Sequence, residues 1–308
     1  MNDINLTYMN NISKHITNTK ELFKNLGMEK SALTEAQTSF LNDNGYLIIP
    51  PTKFIRENLK KMNEITNNLI KSEGDKGGWE GKEKFYKKGK FFEANCDRLG
   101  NLIEKDLIFG KLIQIPEILS AAHEVIKDEL KVGGLNFRNP HKGYGEQAIH
   151  IDGIPRQSID EKFHGVVCYI YLDDATKENG ATRIIPKTHK KTGWPDDYIN
   201  TNKRHEDEIR VETEAGSIVV FNLNTWHAGA ENTNGKPRKT IFIQIKKRDE
   251  GQLLNYKKFL SIKTKKALNA AQKYLLAVRD EDPTQQEDSV SVGQFYRDKF
   301  GKDRGAIK

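Results

Sequence analysis

Apolar positions in the first part of the chain recur at helical spacing. Residues 33–44 (LTEAQTSFLNDN) read as a short amphipathic helix capped by Thr34 and ended by Gly45. Tyr46, Leu47, Ile48 and Ile49 then form a strand stopped by Pro50 and Pro51. Phe54, Leu59, Met62, Ile65, Leu69 and Ile70 mark a helix over 53–72, which the glycine-rich, charged stretch 74–81 interrupts. Another helix is predicted over 116–130. From 131 to 248 the period changes, and short β-rich runs stand between turn signals at 134–138, 148–151, 166–172, 182–185, 209–213, 217–222 and 239–246. Many short strands at modest spacing predict an antiparallel barrel or jelly roll rather than a doubly wound sheet. Phe259, Leu260, Ile262, Ala267, Leu268, Leu275 and Leu276 predict a lysine-rich helix over 255–279, with a polar tail from 280. With no internal repeat, the expected architecture is mainly β with flanking helices. An N-terminal extension (1–32) precedes the β domain and its helical layer (33–250), and the C-terminal helix and tail (251–308) pack on that same domain.

Composition narrows the class. No apolar run approaches the ~18–20 residues of a membrane span, and the first residues lack the basic start and apolar stretch of a secretory signal. A cytoplasmic protein with no membrane partner is expected. Two cysteines, Cys96 and Cys168, are too few for a disulfide framework or a thiolate zinc site. Fifty Lys+Arg against 43 Asp+Glu give a net charge of +7. The excess gathers at 82–90 and 257–266, which read as solvated faces. The alternative, a nucleic-acid-binding or -modifying protein, rests on Phe85, Tyr86, Phe91 and Phe92 interleaved with lysines.

Chemistry concentrates in a few residues. In an extended strand, i and i+2 share a side, so His150 and Asp152 can offer an imidazole and a carboxylate to one metal. His227 follows 75 residues after Asp152, at the end of a predicted strand, and Arg238 comes 11 residues later. Two histidines and one carboxylate on one face of a metal leave positions open, the arrangement that suits non-haem Fe(II) working with O2. An arginine one strand over can grip a carboxylate in bidentate fashion. Together they fit Fe(II) with a 2-oxoglutarate co-substrate.

Four segments in this order carry a resemblance to a known family: residues 33–50 (LTEAQTSFLNDNGYLIIP), 135–152 (LNFRNPHKGYGEQAIHID), 171–189 (YLDDATKENGATRIIPKTH) and 216–238 (GSIVVFNLNTWHAGAENTNGKPR). The chain resembles the phytanoyl-CoA dioxygenase-like Fe(II)/2-oxoglutarate-dependent oxygenases. The resemblance implies a double-stranded β-helix of jelly-roll type, with metal ligands at His150, Asp152 and His227 and the co-substrate arginine at Arg238. With Asp152 present, the resemblance favours hydroxylation or a related oxidation such as desaturation over chlorination, because halogenating relatives lack that carboxylate. Hydroxylation of a small metabolite or natural-product intermediate is the default expectation.

The chain departs from the family at three places. Tyr169 stands where many relatives carry Trp, Lys187-Thr188-His189 replaces Gly-Ser-His, and Gly229 replaces a small hydroxyl residue. A co-substrate contact is therefore expected from Tyr169 or Thr182, while Asn136, Arg138 and Gln147 are candidates for co-substrate or substrate. His189 reads as structural, and His15, His123, His141, His164 and His205 as surface or packing residues. Asp173 and Asp174 face opposite ways on a strand and read as a turn, and Gly74, Gly77, Gly78 and Gly81 as a lid. The lysine excess favours an anionic or carrier-linked substrate. A non-catalytic metal-binding barrel is the remaining alternative.

Overall fold

The computed structural model describes residues 15–77 and 95–278. Nine strands run through them: β1 (Tyr46–Ile49), β2 (Cys96–Leu99), β3 (Leu130–Pro140), β4 (Gly165–Tyr171), β5 (Arg183–Ile185), β6 (Ile209–Arg210), β7 (Ile218–Asn222), β8 (Trp226–Ala228) and β9 (Thr240–Lys247). Six form a sheet in the order β1-β7-β4-β9-β3-β2, and three form a second in the order β6-β5-β8. All pairings are antiparallel. This is the jelly-roll core with flanking helices that the strand spacing predicts.

The period of two decides what each face of the large sheet does. Val166, Cys168 and Ile170 of β4, Ile218 and Val220 of β7, and Ile241, Ile243 and Ile245 of β9 turn outward into the main core. Helices cover that face: α1 (Thr19–Asn25), α2 (Glu35–Asn44), α3 (Lys53–Glu73), α4 (Leu102–Lys105), α5 (Phe109–Leu112) and α6 (Pro116–Ile126). Leu22, Leu41, Ile55, Met62, Leu102, Phe109 and Leu119 are among their buried members. Truncating any one of these to Ala would cost about 2–5 kcal/mol. The intervening positions Val167, Tyr171, Val219 and Phe221 turn inward and meet Ile184 of the small sheet.

Helix boundaries follow local chemistry. Thr34 caps α2 through a capping box with Gln37, Thr52 caps α3, and Gly45 ends α2 in the left-handed region at φ 78°. The helix expected over 116–130 ends at Ile126, because Lys127 turns left-handed and Leu130 already belongs to β3. The single helix expected over 255–279 is three: α7 (Tyr256–Phe259), α8 (Ile262–Ala267) and α9 (Ala270–Leu275). Leu260 and Leu268 are extended and buried, and Ser261 and Asn269 cap the helices that follow them. Burying those leucines and satisfying the new N-termini offsets the broken helical bonds. Two predicted strands are shorter or absent: 209–213 reduces to β6 plus a bridge between Thr213 and Ala175, and 148–151 holds only a bridge at His150. β2, α4 and α5 carry no strong periodic signal and were not expected. Gly78, Gly81, the aromatic and lysine stretch around 82–92, and the polar tail lie outside the described residues.

Gly45 joins helix, strand and barrel at one point. Its carbonyl accepts from Asn222 N at 2.9 Å and Thr225 Oγ1 at 2.7 Å. A Cβ there would fall 2.7 Å from Thr225 Oγ1 and press on the His189 ring. Gly45→Ala is therefore expected to destabilise the fold by about 2 kcal/mol, through left-handed strain plus that clash. Thermal unfolding checks this, the expected fall in Tm being ~5 °C.

Candidate active site

Apolar packing aims the polar side chains. On β8, Trp226 and Ala228 turn outward into a cluster with Ile149, Ile151 and Ile185, so His227 between them turns into the barrel. The segment carrying His150 lies antiparallel against β8 through one bridge. His150 N donates to His227 O at 2.9 Å, and His227 N donates to His150 O at 3.0 Å. Because Ile149 and Ile151 share the outer cluster, His150 and Asp152 are left on the side of His227. Asp152 N and Gly153 N both donate to Leu223 O, at 2.9 and 3.0 Å. This fixes the segment's far end.

One ligand atom from each of His150, Asp152 and His227 lies within 4.8 Å of the other two. Asp152 Oδ1 is 3.8 Å from His150 Nε2, and Asp152 Oδ2 is 3.5 Å from His227 Nε2. His150 Nδ1 sits 2.8 Å from Ala148 O, and His227 Nδ1 sits 3.0 Å from Thr225 O. A carbonyl only accepts, so in the neutral imidazoles each Nδ1 carries the proton and each Nε2 presents a lone pair. His227 Nε2 is buried with no hydrogen-bond partner among the described residues, a desolvation cost that a bound cation would relieve. Two neutral imidazoles and one carboxylate converging this way match the donor set of a divalent iron site with open positions.

A buried arginine lies near the inward-facing tyrosines of β4. Arg238 is 2% exposed, and its Nε and Nη2 find no partner among the described residues. Burial, and then the neighbouring Arg138 charge, push its pKa below the usual guanidinium value. A buried, unpaired guanidinium fork is complementary to a carboxylate. Tyr171 and Thr182 lie in the same interior, their hydroxyls 2.8 Å apart. Burial, and then the Asp152 carboxylate, raise the Tyr169 hydroxyl, which also feels Arg138 and Arg238. Tyr169 is thus within electrostatic reach of both Asp152 and the two arginines.

The remaining candidates fall on the same side. Tyr169 pairs with Phe242 and Phe242 with Asn136, while Tyr171 pairs with Thr240 and Thr240 with Arg138. Gln147 Oε1 accepts from Gly229 N at 2.9 Å. A Cβ at Gly229 would lie 2.7 Å from Gln147 Oε1 and 3.0 Å from Arg138 Nη1. The glycine in place of a hydroxyl residue is thus the space these two groups occupy. Sequence reasoning missed Tyr171, although its i+2 relation to Tyr169 on an inward face is a signal that could have found it.

The jelly-roll core thus brings a His-Asp-His donor cluster and a buried arginine together. The chain belongs to the phytanoyl-CoA dioxygenase family, whose sequence profile matches residues 41–240. An uncharacterised Mycobacterium bovis protein is 29% identical over 181 residues, covering 54% of this chain and 63% of the relative, so the match spans less than two thirds of that protein. A 2-aminoethylphosphonate dioxygenase from an uncultured bacterium is 25% identical over 241 residues, 72% of this chain and 85% of the relative. Among solved structures, Streptomyces hygroscopicus HygX with nickel and 2-oxoglutarate bound has a TM-score of 0.55 at 15% identity, over 70% of this chain and 88% of that one. The non-haem α-ketoglutarate-dependent carbocyclase SnoK from nogalamycin biosynthesis has a TM-score of 0.53 at 17% identity, over 70% and 85%. At such identities the likeness is one of fold. No described helix is long and apolar enough to cross a membrane.

Other polar groups have structural partners. Asp173 Oδ2 accepts from Lys239 N at 2.9 Å and Asp174 Oδ1 from Ala215 N at 2.8 Å, so the pair holds turns. His164 bridges Glu250 (2.8 Å) and Glu161 (3.2 Å), and the Glu250 hydrogen bond raises its pKa. His189 is buried against Phe163, with Nε2 3.1 Å from Asn42 O, and burial pushes its pKa down to about 4. Between pH 6.5 and 4 the unfolded chain binds a proton that folded His189 refuses, so this group's contribution is complete above 6.5 and lost on acidification, at most about 3 kcal/mol. His164 acts oppositely: its contribution is complete below 6.5 and lost as pH rises through its raised value. Urea unfolding across pH 4–6.5 is expected to show stability falling with acid, and His189→Gln should flatten that limb. An unchanged slope in the variant would contradict the assignment.

Proposed function

We propose that the protein is an iron(II)- and 2-oxoglutarate-dependent dioxygenase that hydroxylates an unactivated C–H bond of a small molecule. In that reaction, substrate, O2 and 2-oxoglutarate give the alcohol, succinate and CO2. One observation carries the reading: a converging His-Asp-His cluster shares one barrel interior with a buried guanidinium whose Nε and Nη2 have no partner among the described residues. His150 and His227 would hold the iron through Nε2, and Asp152 through its carboxylate. The bound metal and co-substrate supply the O2 activation and oxidising power.

Everything else falls to the protein's own groups. Arg238 pairs with the distal carboxylate of 2-oxoglutarate, the Tyr171–Thr182 hydroxyl pair and Tyr169 line the co-substrate's path, and the apolar walls Phe221, Val167 and Val219 exclude water. The Nδ1 bonds to Ala148 and Thr225 keep both imidazoles in the tautomer that ligation needs. Asn136, Arg138 and Gln147 face the substrate side, and Arg138 favours a small anionic substrate. The likeness to a 2-aminoethylphosphonate dioxygenase supports that class. Screening carboxylate, phosphonate and phosphate metabolites for coupled succinate release identifies the substrate.

Two outcomes are expected. Asp152→Ala and His227→Ala each abolish substrate-dependent succinate formation, and wild-type turnover in either removes the ligand assignment. Arg238→Ala raises the 2-oxoglutarate requirement by about 30-fold or more, since losing half of a buried charge pair costs ~2–5 kcal/mol and 1.4 kcal/mol is tenfold. An unchanged requirement in a 2-oxoglutarate titration would assign the co-substrate to another residue.

A further inference from the structure

Resting on the metal reading above, we infer that Arg183 is a positioning residue: its buried guanidinium clamps together the two chain segments that carry His150 and His227. Arg183 lies on β5, is 2% exposed, and makes contacts on every side. Its Nε donates to Gly229 O at 3.2 Å, two residues beyond His227, and its Nη2 donates to Gln147 O at 2.6 Å, three residues before His150. Nη2 is also 2.9 Å from Glu146 Oε1, and Nη1 donates to Glu208 Oε2 at 2.7 Å. Glu146 in turn accepts from Glu231 N at 2.9 Å, beyond Gly229 on the His227 segment.

The clamp answers a physical problem at the cluster. His150 Nε2, His227 Nε2 and the Asp152 carboxylate must be held at ligating separations by the chain segments that carry them. Main-chain bonds join the two segments at His150–His227, at Gln147 N to Gly229 O (3.3 Å) and at Asp152 N and Gly153 N to Leu223 O. The Arg183 guanidinium adds a charged, buried tie at the Gln147–Gly229 end, and a rigid planar fork with donors to both segments cannot be matched by an ammonium. Arg204, half exposed, touches the outer oxygens of Glu146 (3.2 Å) and Glu208 (2.9 Å) and completes the charge pattern. Spacing alone could not have revealed this, because the participants are scattered between 146 and 231 and meet only in the folded chain.

The test is Co(II) titration of the purified full chain, followed by the visible ligand-field spectrum and by calorimetry, with circular dichroism and thermal unfolding of each metal-free variant. Arg183→Lys and Arg183→Met are expected to bind Co(II) about 10- to 100-fold more weakly than wild type, the scale for groups that orient metal ligands, with an altered spectrum. Lys should lose less than Met. Glu208→Gln, which keeps the partner's shape without its charge, shifts affinity in the same direction and serves if the Arg183 variants do not fold. Wild-type Co(II) affinity and spectrum in the folded variants, with only Tm lowered, would make Arg183 merely structural and overturn the inference. Absence of Co(II) binding by wild type would instead overturn the metal reading and this inference with it.

Discussion

The antiparallel bridge between His150 and His227 is the contact on which the rest depends. It brings together two chain segments separated by more than seventy residues and sets their register to the residue. Since the side-chain period is two, one residue of slip would turn the histidines into the outer apolar cluster and expose Ile149, Ile151, Trp226 and Ala228 to the barrel interior. Those four apolar side chains therefore do more than fill space. Their burial makes the inward placement of His150, Asp152 and His227 the low-energy arrangement, and the polar chemistry is a consequence of apolar packing on the opposite face.

The interior carries costs that the fold accepts elsewhere. A buried guanidinium with no partner at Nε and Nη2 among the described residues, close to a second arginine, is unfavourable by itself. So is the His227 Nε2, buried with no hydrogen-bond partner among them. At Arg238 and His227 the unsatisfied groups are complementary to an anion and a cation, which a bound co-substrate and metal would supply. The large helical core on the outer face of the six-stranded sheet supplies the stability that tolerates them. Division of labour follows the two faces of one sheet, stability outside and chemistry within.

Much of this was legible in the residues alone. The β-rich middle and its jelly-roll class followed from short alternating runs, the helix start at Thr34 from capping chemistry, and the helix over 53–72 from its apolar spacing. The candidate metal and co-substrate residues came from spacing joined to a family resemblance. Other features depend on tertiary contacts that periodicity cannot register. Leu260 and Leu268 break the C-terminal helix because each finds a buried place, and residues 148–151 do not form a ladder because only His150 meets β8. The orientation of His150 Nδ1 toward Ala148 and the Arg183 clamp are likewise products of the fold. Tyr171, by contrast, was available to a stricter reading of the period of two.

The most direct measurement of the central claim is a crystal structure grown anaerobically with Fe(II) and 2-oxoglutarate, with anomalous density recorded at the iron edge. The account predicts a single strong peak between His150 Nε2, His227 Nε2 and the Asp152 carboxylate, with the co-substrate's far carboxylate on Arg238. Iron bound elsewhere, or these three side chains intact and empty beside saturating metal, would contradict it.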